Sequence, residues 1–152
     1  IGSDELNPLY VADDAKRAEL AAEAEKLPSI TISSAAAGNA VMMGGGYFNP
    51  LKGYMNKADA LSAAEKMTLT DGSFFPVPVL NMVEDASSIK DAKRIALRDP
   101  NVEGNPVLAV MDVEAIETFT DDEMKMMTEK VYRTTDPEHP GVAAFNSVGK
   151  TC

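Results

Sequence analysis

A chain of 152 residues that is 45% hydrophobic and 25% charged fits one globular domain with a core of its own. Its 24 acids against 14 bases leave a formal net charge of −10, a surface that repels nucleic acid and anionic membrane unless the lysines gather on one face. No apolar run approaches the roughly 18 residues of a membrane span. The opening "IGSDELNPLY" lacks the basic and apolar regions of a signal peptide, and the single cysteine, Cys152, excludes an internal disulfide framework, which favours a cytoplasmic protein.

The first element, "ADDAKRAELAAEAEKLP", reads as a helix with acids at its front, Leu20, Ala24 and Leu27 on one face, and Pro28 as the stop. "SITIS" is a short strand. "SSAAAGNAVMM" starts on helix-capping serines and ends at Gly44. "NKADALSAAEKM" is a helix capped by Asn56, with Asp59 placed to reach back to the cap. "MTLTDGSFFPVPVLNMV" reads as a hairpin around Asp71-Gly72, and Pro76 and Pro78 put its second strand at a sheet edge or a bulge. "KRIALRD", the turn-rich "PNVEGN" and "PVLAVMDVEAIETF" form a second hairpin. "TDDEMKMMTEKVYR" is a helix with Thr120 and Glu123 as a capping box and Met124, Met127 and Val131 on one face. "TTDPEHPG" reads as a loop. Strands and helices mix without regular alternation, which implies α+β around a small barrel. The start at Ile1 and the stop at "SVGKTC" read as those of a segment from a longer protein.

Several stretches resemble chemical motifs. Gly149-Lys150-Thr151 looks like the tail of a phosphate-binding loop, but that motif needs a glycine where Ala144 stands, and a helix afterwards. The glycines 44–46 of "VMMGGGYFNPLKGYM" follow an expected helix, whereas a dinucleotide fingerprint follows a strand and opens a helix. They are read as a helix stop and tight turn, with Gly45 expected to need a positive φ. His139, the only histidine, reads as a surface loop residue that cannot make a metal site by itself. Asp112, Glu114 and Glu117 alternate with Val113 and Ile116 as a wet face rather than a paired acid and base, and Met124, Met126 and Met127 read as core filler. No catalytic, cofactor-binding or metal-ligating residue is assigned.

The run "GGGYFNPLKGYMNKADALSAAEKMTLTDGSFFPVPVLNMV" resembles the amino-terminal domain of the ATP sulfurylase (sulfate adenylyltransferase) family. The likeness rests on Phe48, Pro50, Leu51, Gly53, Tyr54 and Met55, then Asp71, Gly72, Pro76 and Pro78. It continues through "IALRD", "EGNPVLAVMDVEAI" and Thr135, Asp136, His139, Pro140, Gly141 and Val142, with Tyr54 replacing the commoner Phe. The resemblance implies a PUA-like β-barrel with flanking helices: residues 1–32 as a helical arm and first strand, residues 33–152 as the barrel domain. It also implies a parent enzyme that joins ATP and sulfate to give adenosine 5′-phosphosulfate and pyrophosphate, with Mg²⁺. The family's Gln-x-Arg-Asn-Pro and His-x-x-His segments cannot be present here, because the chain has no glutamine and one histidine. The segment is therefore expected to be a non-catalytic scaffold that binds no cofactor. Its expected partners are the catalytic domain of the same protein and further copies of itself. Phe48, Leu51, Tyr54 and Met55 are expected to plug the core, and one face to stay apolar where the catalytic domain docks. PUA-like barrels elsewhere bind RNA, and a structural or regulatory interaction domain is the other alternative; the net charge speaks against RNA.

Overall fold

The computed structural model describes residues 5–152; residues 1–4, the start of the expected arm, lie outside the described residues. The elements run α1 (Asp14–Ala24), β1 (Ser29–Thr31), α2 (Ser34–Gly44), α3 (Lys57–Lys66), β2 (Arg94–Arg98), β3 (Val107–Asp112), α4 (Asp121–Tyr132) and α5 (Pro140–Ser147). The architecture is α+β, as the mixed pattern predicts.

The sheet has the order β1-β2-β3, with β1 parallel and β3 antiparallel to β2. It does not close on itself among the described residues: where a barrel is expected, the strands form an open three-stranded sheet supplemented by isolated bridges. The second hairpin is present, with Arg94 opposite Asp112, Ile95 opposite Met111 and a bulge between Leu97 and Arg98. The first is reduced to one bridge, Thr68 to Phe74, around the Asp71-Gly72 turn. Beyond it the chain runs extended without a ladder, because Pro76 and Pro78 lack alternate donors. That stretch is held by its side chains: Phe75, Val79, Leu80 and Met82 are all buried.

Two cores result. One packs α3 and α4 against the extended stretch through Ala60, Ala63, Phe75, Val79, Phe119 and Met127. The other packs α2 on the sheet through Ile32, Ala36, Ala37, Ile95 and Leu97. Tyr54 touches both, and its hydroxyl donates to the Ala36 carbonyl at 2.7 Å. Burial pushes that phenol well above its ordinary pKa. The expected plug is thus formed: Met55 is buried, and Phe48, Leu51 and Tyr54 pack partly buried against the first core.

Local signals placed most helices. Asp13, Ser33, Asn56 and Thr120 cap their helices, and Thr120 with Glu123 forms the full capping box. Asp59 departs from expectation. Its carboxylate accepts from the backbone and hydroxyl of Thr70, tying α3 to the turn rather than to Asn56. The "TTDPEHPG" loop is also shorter than expected, because Pro140 starts α5, where its fixed φ and missing N–H cost nothing.

Candidate functional site

The glycine run is the first place where chemistry could sit. Gly44 ends α2, Gly45 caps it with φ −78°, and Gly46 alone takes a positive φ, 77°. The Gly45 and Gly46 amides donate to the carbonyls of Val41 and Met43, so neither is available to an anion. Leu9 and Tyr10 donate from the arm to the carbonyls of Met43 and Gly44. The run therefore sits at a helix C-terminus, the wrong pole for a phosphate. The positive φ expected at Gly45 belongs to Gly46. A side chain at Gly46 would also meet Leu6 Cδ1 at 3.0 Å and the Pro8 backbone nitrogen at 3.1 Å. One at Gly45 meets only the Tyr47 ring, at 2.8 Å, and Tyr47 is 74% exposed and free to swing away. Gly46→Val is expected to destabilise the chain by about 1–3 kcal/mol and Gly45→Val by less, measured by urea unfolding. The reverse ranking would contradict the turn as built.

The Gly-Lys-Thr tail is occupied as well. Thr151 bridges to Val83 and to Thr118, its amide donating to the Val83 carbonyl at 3.3 Å. Cys152 exchanges two 2.9 Å backbone bonds with Glu117, and Lys150 pairs with Asp121. The Thr151 and Cys152 amides are thus taken, and Thr151 lies in β-bridges rather than in the first turn of the helix such a loop requires. Beside it, Asp121, Met124, Lys125, Thr128, Asn146 and Lys150 line an open groove of about 330 Å³. Thr128 is committed there, its hydroxyl donating to the Met124 carbonyl at 2.8 Å. The groove has no nucleophile–base pair.

His139 carries more structure than a surface loop residue. It is the N-cap of α5, its Nδ1 accepting from the amides of Gly141 and Val142 at 3.2 and 3.4 Å, and its ring lies 5.6 Å from that of Tyr132. The segment before it is a nest of local bonds, Asp136 accepting from Glu138 N at 2.9 Å and Thr134 from Asp136 N at 3.1 Å. Thr135, Asp136, His139 and Pro140 are thus gathered at the start of α5, facing solvent.

The carboxylates 112, 114 and 117 separate into different roles. Asp112 is exposed and pairs with Arg94, which also bonds Glu23 of α1; the pairing lowers the Asp112 pKa. Glu114 is exposed. Glu117 accepts from the Lys57 amide at 2.9 Å, completing the N-terminus of α3. Lys57 reaches on to Glu123 at 2.8 Å and to the Thr118 carbonyl at 3.0 Å. The Lys57 hydrogen bond, then that of the Thr120 amide, holds the Glu123 carboxyl below its ordinary range. A pKa lowered by folding adds stability above the ordinary glutamate value, and that stability is lost as pH falls through the lowered one. Acidification is therefore expected to reduce amide-exchange protection at Thr120 before it does so in the sheet. Simultaneous loss would contradict this.

The methionines divide similarly: Met124 and Met127 are buried, while Met126 is only partly so. Among the described residues no group of three His, Cys, Asp or Glu side chains could hold a metal, and no helix is long and apolar enough to cross a membrane. Exposed apolar side chains gather where the arm meets the end of α2: Leu6, Tyr10, Val41, Met42 and Tyr47.

Comparison with known proteins gives this architecture its relatives. The PUA-like domain family matches residues 2–152. The chain is 64% identical over 151 residues to a sulfate adenylyltransferase of Allochromatium vinosum, covering 99% of this chain and 38% of that protein. It is 64% identical over 148 residues to a sulfate adenylyltransferase of Alcanivorax borkumensis, covering 97% of this chain and 37% of that one. The chain thus spans about a third of the length of the curated relatives it matches. A solved structure described as a hexameric APS kinase from Thiobacillus denitrificans aligns with a TM-score of 0.62 and 28% identity, over 76% of this chain and 23% of that one. The chain belongs to the PUA-like domain family.

Proposed function

We propose that this chain is the amino-terminal, non-catalytic domain of a sulfate adenylyltransferase, the scaffold on which a separate catalytic domain is mounted. The observation that carries the reading is the 64% identity, across 99% of the chain, to an enzyme of that name of which it spans only 38%. The parent enzyme would exchange ATP and sulfate for adenosine 5′-phosphosulfate and pyrophosphate. Its demands are in-line positioning of an attacking oxygen on the α-phosphorus and neutralisation of phosphate charge. The two phosphate-loop look-alikes in the chain do not support a place for that work here. The glycine amides are paired within the turn, and Lys150 is paired with Asp121. In this reading ATP and Mg²⁺ are bound by the rest of the enzyme.

In this reading residues 1–32 form the arm and first strand, and residues 33–152 the PUA-like body, whose open sheet and bridges stand for the barrel wall. The exposed apolar side chains of the arm and α2 support a body covered within a larger homo-oligomer, which this reading places in the cytoplasm. The net charge of −10 favours protein partners over RNA or anionic membrane.

The test is to read the gene beyond codon 152 and assay its product. A Gln-x-Arg-Asn-Pro segment and sulfate-dependent pyrophosphate release are expected; a product without either would refute the assignment. Lys150→Ala in that product is expected to keep turnover within a few-fold of normal. A loss of about a thousandfold, the scale of removing a key charge contact, would restore the phosphate-loop reading.

A further inference from the structure

Two polar side chains of the described residues are buried, and they differ. Thr128 donates to a carbonyl, whereas Asn81, 6% exposed, holds an Oδ1 that no donor in the described residues reaches. Buried acceptors are almost always paired, so an orphan is a place where another group belongs. Asn81 lines a cavity of about 30 Å³ whose other walls include Ile30, Met111, Val113 and Ile116. Cys152 stands at the same cavity. A polypeptide continuing past residue 152, as the length of the relatives implies, thus starts at the cavity, with Asn81 near its first residues.

We propose that this cavity is a docking notch for the polypeptide that follows Cys152, which places a single small group there, a hydrogen-bond donor on Asn81 Oδ1 seated against Ile30, Met111 and Ile116. The inference rests on the reading of the chain as part of a longer enzyme. The geometry suits that occupant. Thr151 and Cys152 are already fixed by backbone bonds to Val83 and Glu117, so the chain leaves in a defined direction and little further entropy is lost on seating the next residues. The notch, at about 30 Å³, is too small for a separate domain's bulk and takes one small group beside its acceptor. Burial, with Glu117 nearby, pushes the Cys152 thiol up to about 11, so both proteins are labelled at the same mildly alkaline pH, where enough thiolate is present for the reference rate to be measured.

The experiment uses the longer protein and the 152-residue chain. Cys152 is labelled with N-ethylmaleimide and its peptide quantified by mass spectrometry, alongside sulfate-dependent pyrophosphate release. The longer protein is expected to label at least about tenfold more slowly than the 152-residue chain, and Asn81→Leu to return most of that difference. Melting gives a second readout. Asn81→Leu is expected to lower the Tm of the longer protein by about 4 °C while leaving that of the short chain unchanged or raised, because only the longer protein loses a hydrogen bond. Equal labelling in the two unmodified proteins would overturn the notch, as would slowing that depends on concentration in the short chain, which would make a second copy the occupant. Absence of turnover in the longer protein would instead count against the sulfate adenylyltransferase reading.

Discussion

Gly149→Ala is expected to destabilise the protein by about 3 kcal/mol or more, the largest effect of adding a methyl group at any of the described glycines. Gly149 has φ +98°, and a Cβ there would lie 2.2 Å from the Val83 carbonyl oxygen and 2.5 Å from the Glu84 nitrogen. These are backbone atoms, so no side chain can swing aside. Relief requires the tail to lift, and lifting it breaks the bridges of Thr151 to Val83 and Thr118 and the bonds between Cys152 and Glu117. For a domain of this size the shift corresponds to roughly 6–12 °C in Tm. Gly38 is the matched control: it lies inside α2 with nothing within 4 Å of an added Cβ, so Gly38→Ala is expected to be neutral or stabilising. A Gly149→Ala variant that melts within a degree of the parent would show that the tail is not anchored as described.

Met127→Ala is expected to cost about 2–5 kcal/mol, the range for truncating a buried side chain that leaves a cavity. Met127 is 0% exposed on the inner face of α4, in the core that joins that helix to α3 and to the extended stretch. The stretch has no ladder of its own, so its place depends on such contacts, and collapse around the gap would disturb Val79 and Phe75. Met126→Ala, one residue away and only partly buried, is expected to cost clearly less. Urea unfolding of the two variants checks the ranking. Equal losses would mean that α4 is rotated from the position described.

Particular residues explain which features were legible in advance. The capping signals of Ser33, Asn56 and Thr120 are local, and local chemistry fixed those helix starts. The parallel pairing of β1 with β2 was not legible, because it joins residues about 29–31 to 96–98 and no local pattern names a partner. Pro140 and Gly141 read as loop residues although proline is also favoured at the first position of a helix. Only His139 Nδ1 accepting from Gly141 and Val142 resolves that ambiguity, and such a cap is rare enough to escape a residue pattern. In the glycine run, a turn was legible but the residue that carries the positive φ was not, since three identical residues give no means of ranking them. Glu117 and Asp59 bind backbone far along the chain, at Lys57 and Thr70, and spacing alone cannot show such contacts. The orphan acceptor of Asn81 needed coordinates: nothing in "VLNMV" marks one asparagine as unpartnered.

The central claim is that this domain scaffolds adenylyl transfer without performing it. The most direct measurement is sulfate-dependent pyrophosphate release from ATP, with Mg²⁺, by the purified 152-residue chain beside the longer protein. The account predicts turnover by the longer protein and none above the uncatalysed rate by the chain alone, in which Lys57 and Lys150 are held by Glu123 and Asp121 and the Gly45 and Gly46 amides by their own turn. Turnover by the chain alone comparable to that of the longer protein would contradict it.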